Sequence, residues 1–146
     1  LVQHASGAPG LRFFGCGPKF VPLRGIQKLQ TLLDKNTSWA NQRTKKNIKQ
    51  MLSRSEAVVS VWQNTRLIGF GRATSDKVYR AVLWDVVVDK NFQRIGIGKK
   101  IVNSLLSNKL ISRVEKIYIM TTKFEKFYSK MDFKLEENQK LMFLKS

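Results

Sequence analysis

Trp84–Lys100 reads WDVVVDKNFQRIGIGKK. It opens as a β-branched, apolar run and closes as the start of an amphipathic helix, with Gly96 and Gly98 between. A strand that passes through a glycine-bearing loop into a helix is suited to receive an anion. Glycines let the backbone come close to a ligand, and a helix start presents N–H groups that no earlier turn can accept. The helix dipole adds partial positive charge at the same place, so a pyrophosphate fits the turn. Arg94, Lys99 and Lys100 bring full positive charges nearby.

Spacing separates three phosphate-loop readings. A Walker A loop needs Gly-Lys followed by Ser or Thr and an earlier glycine, but Lys100 follows Gly98-Lys99 and Gln93 holds the earlier position. A dinucleotide fingerprint needs a third small residue where Ile101 stands, and it belongs near a first βα unit. What fits is Gln/Arg-x-x-Gly-x-Gly/Ala after a central strand, here Gln93-Arg94-Ile95-Gly96-Ile97-Gly98. An ordinary strand-to-helix turn is the plain alternative.

Working outward from this segment gives the rest of the chain. Ala57–Gln63 and Arg66–Ala73 are β-rich runs around the turn pair Asn64–Thr65, which predicts a hairpin. Tyr79–Asp89 predicts a central strand buried on both faces. Gly98–Leu110 predicts a helix with Ile101, Val102, Leu105 and Leu106 on its apolar stripe. Upstream, Leu11–Gly15 reads as a strand broken by Gly17 and Pro18. Helices follow over Ile26–Lys35, after Pro22 and Gly25, and over Gln42–Ser53. Downstream, Lys116–Thr121 reads as a strand. Lys123–Met131 reads as a helix carrying Phe124, Phe127, Tyr128 and Met131 on one side, and Phe133–Glu136 and Gln139–Leu144 as closing strands. The expected order is β-α-α-β-β-β-α-β-α-β-β, an α/β fold with helices on the faces of a mixed sheet.

The chain's 146 residues suffice for one domain, and 42% of them are apolar. Leu1–Gly10 is small, polar and unpatterned, so it is read as a disordered tail or an extraneous leader. That leaves residues 11–146 as the domain. No cleavable signal is visible, and no apolar run approaches the roughly 20 residues that span a bilayer. One cysteine, Cys16, allows no intrachain disulfide and fits a reducing compartment. The formal charge of +17 favours polyanions such as nucleic acid, anionic lipid or a polyphosphate ligand. The basic residues are spread over nearly every segment, which equally fits a lysine-coated soluble protein.

Other chemistries are harder to build. His4 is the only histidine and lies in the leader, which removes Ser-His-Asp and Cys-His arrangements. Cys16 stands alone, so no metal-ligand cluster is expected, and an acyl-carrying role for it has no support beyond its presence.

Gln93–Gly98 resembles motif A of the GNAT acetyltransferase superfamily, and the element order extends the likeness over nearly all of the chain. Gly69–Asp76 (GFGRATSD), Leu83–Asp89 (LWDVVVD) and Phe127–Phe133 (FYSKMDF) are similar to the plant plastid and cyanobacterial serotonin N-acetyltransferase branch. The resemblance implies a GNAT-like acyl-CoA N-acyltransferase fold and acetyl-CoA as co-substrate, without a metal. It places the pantetheine arm along Val86, Val87 and Val88 and the pyrophosphate on Arg94, Ile95, Gly96, Ile97, Gly98 and Lys99, held mainly by backbone N–H groups. Thr122 is counted with the coenzyme-binding residues. The resemblance also makes Tyr128 the group that protonates or hydrogen-bonds the departing thiolate; its spacing alone fits a core position equally well.

A base for the incoming ammonium is harder to assign. Plant relatives look to place an aspartate just after the strand that precedes the last helix. This chain has Thr121 and Thr122 there, neither a base near neutral pH. Asp85 remains, placed by strand alternation on the face of Leu83 and Val87, opposite Trp84 and Val86. It is either a base of raised pKa or a structural carboxylate satisfied by backbone or Arg72, and a water-relayed path with no single base is the third option. Asp132 stands where relatives have glycine.

The expected reaction is direct attack of a primary amine on acetyl-CoA, with an arylalkylamine such as serotonin as acceptor. Protein lysines or N-termini are the alternative acceptors. A basic nucleic-acid or protein-binding adaptor on the same fold is the non-enzymatic alternative. The expected location is a bacterial cytoplasm or the plastid stroma. The sequence leaves the oligomeric state open, a dimer included.

Overall fold

The computed structural model describes residues 2–4, 11–16 and 23–146. Its framework is a six-stranded sheet in the order β1-β2-β3-β4-β5-β6, which is also chain order. The strands are β1 (Val2–His4), β2 (Leu11–Cys16), β3 (Ala57–Gln63), β4 (Arg66–Ser75), β5 (Arg80–Val88) and β6 (Lys116–Ile119). All neighbours are antiparallel except β5 and β6. That parallel pair needs a crossover, which α3 (Ile97–Ser107) and α4 (Lys109–Ser112) supply. The other helices are α1 (Leu23–Asn36), α2 (Lys45–Ser53) and α5 (Glu125–Ser129).

Each face of the sheet carries its own apolar cluster. On one face Ile26, Leu29, Leu32 and Leu33 of α1 and Ile48 and Leu52 of α2 pack with Val58, Phe70 and Val87. On the other, Ile97, Ile101, Val102 and Leu105 of α3 pack with Val59, Val61, Ile68 and Leu83, and Ile111 and Tyr128 join them. Gly71 sets how closely α3 approaches: a Cβ there would lie 2.6 Å from Ile101 Cγ2. Helix starts are specified locally. Thr44 caps α2 by accepting the Asn47 N–H at 3.1 Å. The β4–β5 turn is gathered by Asp76, whose Oδ1 accepts N–H groups from Val78, Tyr79 and Arg80. Those bonds, Arg80's first, hold its carboxyl below the usual range.

Several expectations change. Val2–His4, assigned to a disordered leader, pairs antiparallel with β2; residues 5–10, and Gly17, Pro18 and Pro22, lie outside the described residues. Gly25 sits inside α1 rather than ahead of it. The helix expected over 98–110 is two, because Asn108 leaves helical geometry and its side chain accepts the Leu110 N–H to start α4. The last helix is shorter than 123–131, and Phe124 is exposed instead of sharing the apolar side with Tyr128. Residues 133–136 and 139–144 form no strand: Leu141, Met142, Phe143 and Leu144 are all largely exposed. Finally, β5 is not uniformly buried but alternates between buried and half-buried positions, and a bulge interrupts its pairing with β4.

Candidate active site

β6 pairs with β5 only from Arg80↔Lys116 to Leu83↔Ile119. β5 continues to Val88, and β4 pairs its other edge up to that residue. Trp84–Val88 therefore has one edge with no strand partner among the described residues. An extended ligand with its own amides can pair there as a strand would. Gln93 reaches back to close the end of this edge, its Nε2 donating to the Val88 carbonyl at 3.1 Å.

The strand then turns sharply. Buried Asp89 caps a 3-10 turn over Lys90–Phe92 by accepting the Asn91 N–H at 2.9 Å, and Arg66 pairs with its other oxygen at 3.1 Å. Arg94 (φ 67°) and Gly96 (φ 88°) both occupy the left-handed region. At Gly96 the requirement for glycine is conformational, since a Cβ would meet nothing within 4 Å. Gly96 is also the N-cap of α3, with no side chain bonding to the first turn. The opening N–H groups of Ile97, Gly98 and Lys99 are thus those a helix cannot satisfy itself. Ile97 offers only its backbone, because its side chain is buried in the α3-side core. Arg94, Ile95 and Lys99 are exposed.

α5 brings Phe127 to the same place. A Cβ on Gly98 would lie 3.5 Å from Phe127 Cζ and 3.8 Å from Val88 Cγ2, so strand end, loop and last helix converge at this glycine. Tyr128 packs edge-on between Phe127 (4.9 Å) and Phe133 (5.7 Å) and is 7% exposed. Burial pushes its phenol up to about 12. Its hydroxyl has no hydrogen-bond partner among the described residues, and it is not sealed from solvent. After α5 the chain reverses at Asp132 (φ 69°), a left-handed position that explains why glycine suits it, and the Phe133 N–H bonds the Tyr128 carbonyl at 3.1 Å.

Asp85 lies at the β5 bulge. Its Oδ2 accepts from Arg72 Nε at 2.8 Å and from Arg43 Nη1 at 3.0 Å. Alternation does not hold through it: Leu83 lies in the α3-side core and Val87 in the α1–α2 core, while Val86 and Val88 pack toward α3. Thr121 spends its hydroxyl accepting the Phe124 N–H at 3.0 Å, and Thr122 is exposed beside it. The sequence names Gln93 as the first position of the loop motif but not its contact with Val88, and it gives no sign of Arg43. Arg43 is 42 residues from Asp85, with no sequence signal linking them. A separate groove of about 660 Å³ lies between α1 and the β3–β4 turn; Lys28, Lys35 and Arg66 line it, and of the loop it touches only Asp89.

A family model described as the acetyltransferase (GNAT) domain matches residues 27–142. The chain belongs to the acetyltransferase (GNAT) domain family. Among its relatives, N-acetyltransferase ycf52 of Pyropia yezoensis is 32% identical over 113 residues, covering 74% of this chain and 64% of that protein. GCN5-related N-acetyltransferase 1, chloroplastic, of Arabidopsis thaliana is 40% identical over 63 residues, 42% of this chain and 32% of the relative. The chain thus spans less than two thirds of the length of these relatives. Among solved structures, the GNAT-family acetyltransferase SP0256 of Streptococcus pneumoniae superposes with a TM-score of 0.74 at 18% identity, covering 92% of this chain and 98% of that one. An aminoglycoside acetyltransferase, meta-AAC0020, from an uncultured soil sample gives 0.67 at 18% identity, covering 94% and 96%. These likenesses establish the fold alone.

This GNAT chain contains no helix long and apolar enough to cross a membrane, and no group of three potential metal ligands, among its described residues.

Proposed function

We propose that this GNAT domain moves the acetyl group of acetyl-CoA to a primary amine by direct attack, with an arylalkylamine such as serotonin as the acceptor. One observation carries the reading: the free edge of Trp84–Val88 runs into a glycine-capped helix start, and Phe127, the ring neighbour of Tyr128, lies where the two meet. The pantetheine amides pair along Val86–Val88, and the diphosphate accepts from the N–H groups of Ile97, Gly98 and Lys99, with the cations of Arg94 and Lys99 as support. The neutral amine adds to the thioester carbonyl. As the tetrahedral intermediate collapses, the C–S bond breaks and the thiolate leaves toward the Tyr128 hydroxyl; the surplus proton on nitrogen passes to water.

The acceptor class rests on the sequence resemblance to the plastid and cyanobacterial serotonin branch. Protein amines are a second reading, favoured by one relative: a Glycine max protein named histone acetyltransferase TAP1 is 33% identical over 75 residues, 51% of this chain and 32% of its own length. The +17 charge weighs toward small amines over cationic peptides, weakly, because salt screens such a field within about 8–10 Å. A bacterial cytoplasm or plastid stroma fits the relatives from Prochlorococcus and the chloroplastic ones.

Acetyl-CoA turnover against serotonin, tryptamine, polyamines and lysine peptides tests the proposal. Turnover is expected with arylalkylamines at higher kcat/KM than with peptides. The reverse order would establish the protein-acetylating reading, and failure of every amine would refute acetyl transfer by this domain.

A further inference from the structure

We infer that Asp85 is a positioning residue: clamped by Arg43 and Arg72, it holds the bulge that turns Val86–Val88 into the coenzyme's docking edge, and it does not take the amine's proton. The inference rests on the acetyl-CoA reading above.

The bulge is visible in the register. Between Gly69↔Val88 and Phe70↔Val87 on one side and Arg72↔Trp84 on the other, β4 advances two residues while β5 advances three. The extra residue is absorbed around Asp85, whose φ of 53° lies in the left-handed region. Among residues with a side chain, Asn and Asp tolerate that region best. The effect on the faces is decisive. Strict alternation from Leu83 would send Val87 toward α3 and Val88 away from it. With the bulge, Val87 enters the α1–α2 core and Val88 reaches Gly98, which Phe127 also approaches. The edge, the phosphate loop and the last helix come together only because one residue is added here. The bulge also follows directly on the last β5–β6 pair, Leu83↔Ile119, where the free edge begins.

The clamp is anchored at both ends. The Asp85 side chain is 4% exposed, and both cations reach the same oxygen, Arg72 at 2.8 Å and Arg43 at 3.0 Å. Arg72 also donates to Ser55 Oγ at 3.4 Å and lies over the Trp84 ring at 5.7 Å. Arg43 contacts Met51 Sδ at 3.5 Å, and its carbonyl accepts from Gln30 at 2.9 Å. Arg43 precedes the Thr44 cap of α2, so the carboxylate ties the α1–α2 connection to the central strand. The charged groups that contact this carboxylate are the two guanidinium groups; Met51, Ser55 and Trp84, which pack around them, are neutral. Both bonds fall on Oδ2, so paired charge at one oxygen ties the central strand to the α1–α2 connection and to β4.

The test compares the charge-balanced pair Asp85→Asn with Arg43→Gln against Asp85→Ala. Asn still accepts from Arg72 and tolerates positive φ, but cannot act as a base; removing the Arg43 charge avoids a buried excess of cations. Coenzyme A affinity is read by calorimetry, and kcat, KM and the pH–rate profile by turnover. The balanced pair should keep kcat within about tenfold of wild type with an unshifted acid limb, since general-base loss costs roughly 10²–10⁴-fold. Asp85→Ala should weaken coenzyme A binding and raise KM for acetyl-CoA about tenfold or more while kcat falls less. A folded balanced pair that binds coenzyme A normally, yet loses more than 10²-fold in kcat together with its acid limb, would overturn the inference. So would unchanged coenzyme A affinity in Asp85→Ala. If wild type binds coenzyme A but acetylates no amine, the proposed reaction falls, while the affinity comparison still decides the role of Asp85.

Discussion

Replacing Tyr128 by Phe should slow acetyl transfer by about 10- to 150-fold and leave the fold intact. The phenol sits at about 12 because burial disfavours its anion. A thiol ionises near 8.5, so full transfer of the phenolic proton to a thiolate is uphill by roughly 3.5 units, about 5 kcal/mol. The hydroxyl therefore works by donating a hydrogen bond to the developing negative sulfur. A bond to a charged group contributes about 1.5–3 kcal/mol, which sets the expected range. Phe keeps the edge-on contacts with Phe127 and Phe133, and no hydrogen bond among the described residues is lost. Steady-state release of coenzyme A thiol, followed with a chromogenic disulfide, should show the loss in kcat at nearly constant KM for acetyl-CoA. A melting temperature within a degree or two of wild type would exclude unfolding as the cause. Turnover within twofold of wild type would refute the role and return Tyr128 to the core.

The same phenol shapes alkaline stability. Below pH 10 both folded and unfolded phenols are protonated; as pH rises from 10 toward 12 the unfolded chain ionises first, so stability falls by about 2–3 kcal/mol. Denaturant titrations should show that extra loss in wild type and not in Tyr128→Phe. Gly96→Ala has room for its methyl but not for its φ of 88°, so the free loop should relax away from it; coenzyme A binding must then restore that geometry at about 1–2 kcal/mol and should weaken by roughly 5- to 30-fold in calorimetry. Gly71→Ala instead drives a methyl to within 2.6 Å of Ile101 and should cost about 1–3 kcal/mol of unfolding free energy.

Much of this architecture is legible in the sequence where local chemistry decides it. The β3–β4 hairpin follows from β-branched runs around Asn64–Thr65, and Asn64 indeed takes φ 53°. The phosphate loop is legible because its glycines stand between a strand and a helix, and Gly96 takes a φ of 88° that favours glycine. What escapes is set by partners distant in the chain. The bulge at Asp85 depends on how β4 pairs, and alternation read along one strand cannot register an added residue. Arg43 reaches Asp85 only because α1 and α2 fold over the sheet. Asn108 divides the crossover helix through a side-chain cap that competes with a continuous apolar stripe. The run LMFL reads as a strand from composition, yet a strand needs an edge to pair with, and residues 141–144 remain largely exposed.

The central claim is that backbone N–H groups at the start of α3 grip the diphosphate of coenzyme A. Calorimetry of the wild-type chain with coenzyme A, set beside pantetheine, which lacks the diphosphate, tests it directly. Coenzyme A should bind at least tenfold more tightly, with an advantage that shrinks in Gly96→Ala. Equal affinity for the two ligands, or no heat with coenzyme A at all, would contradict it.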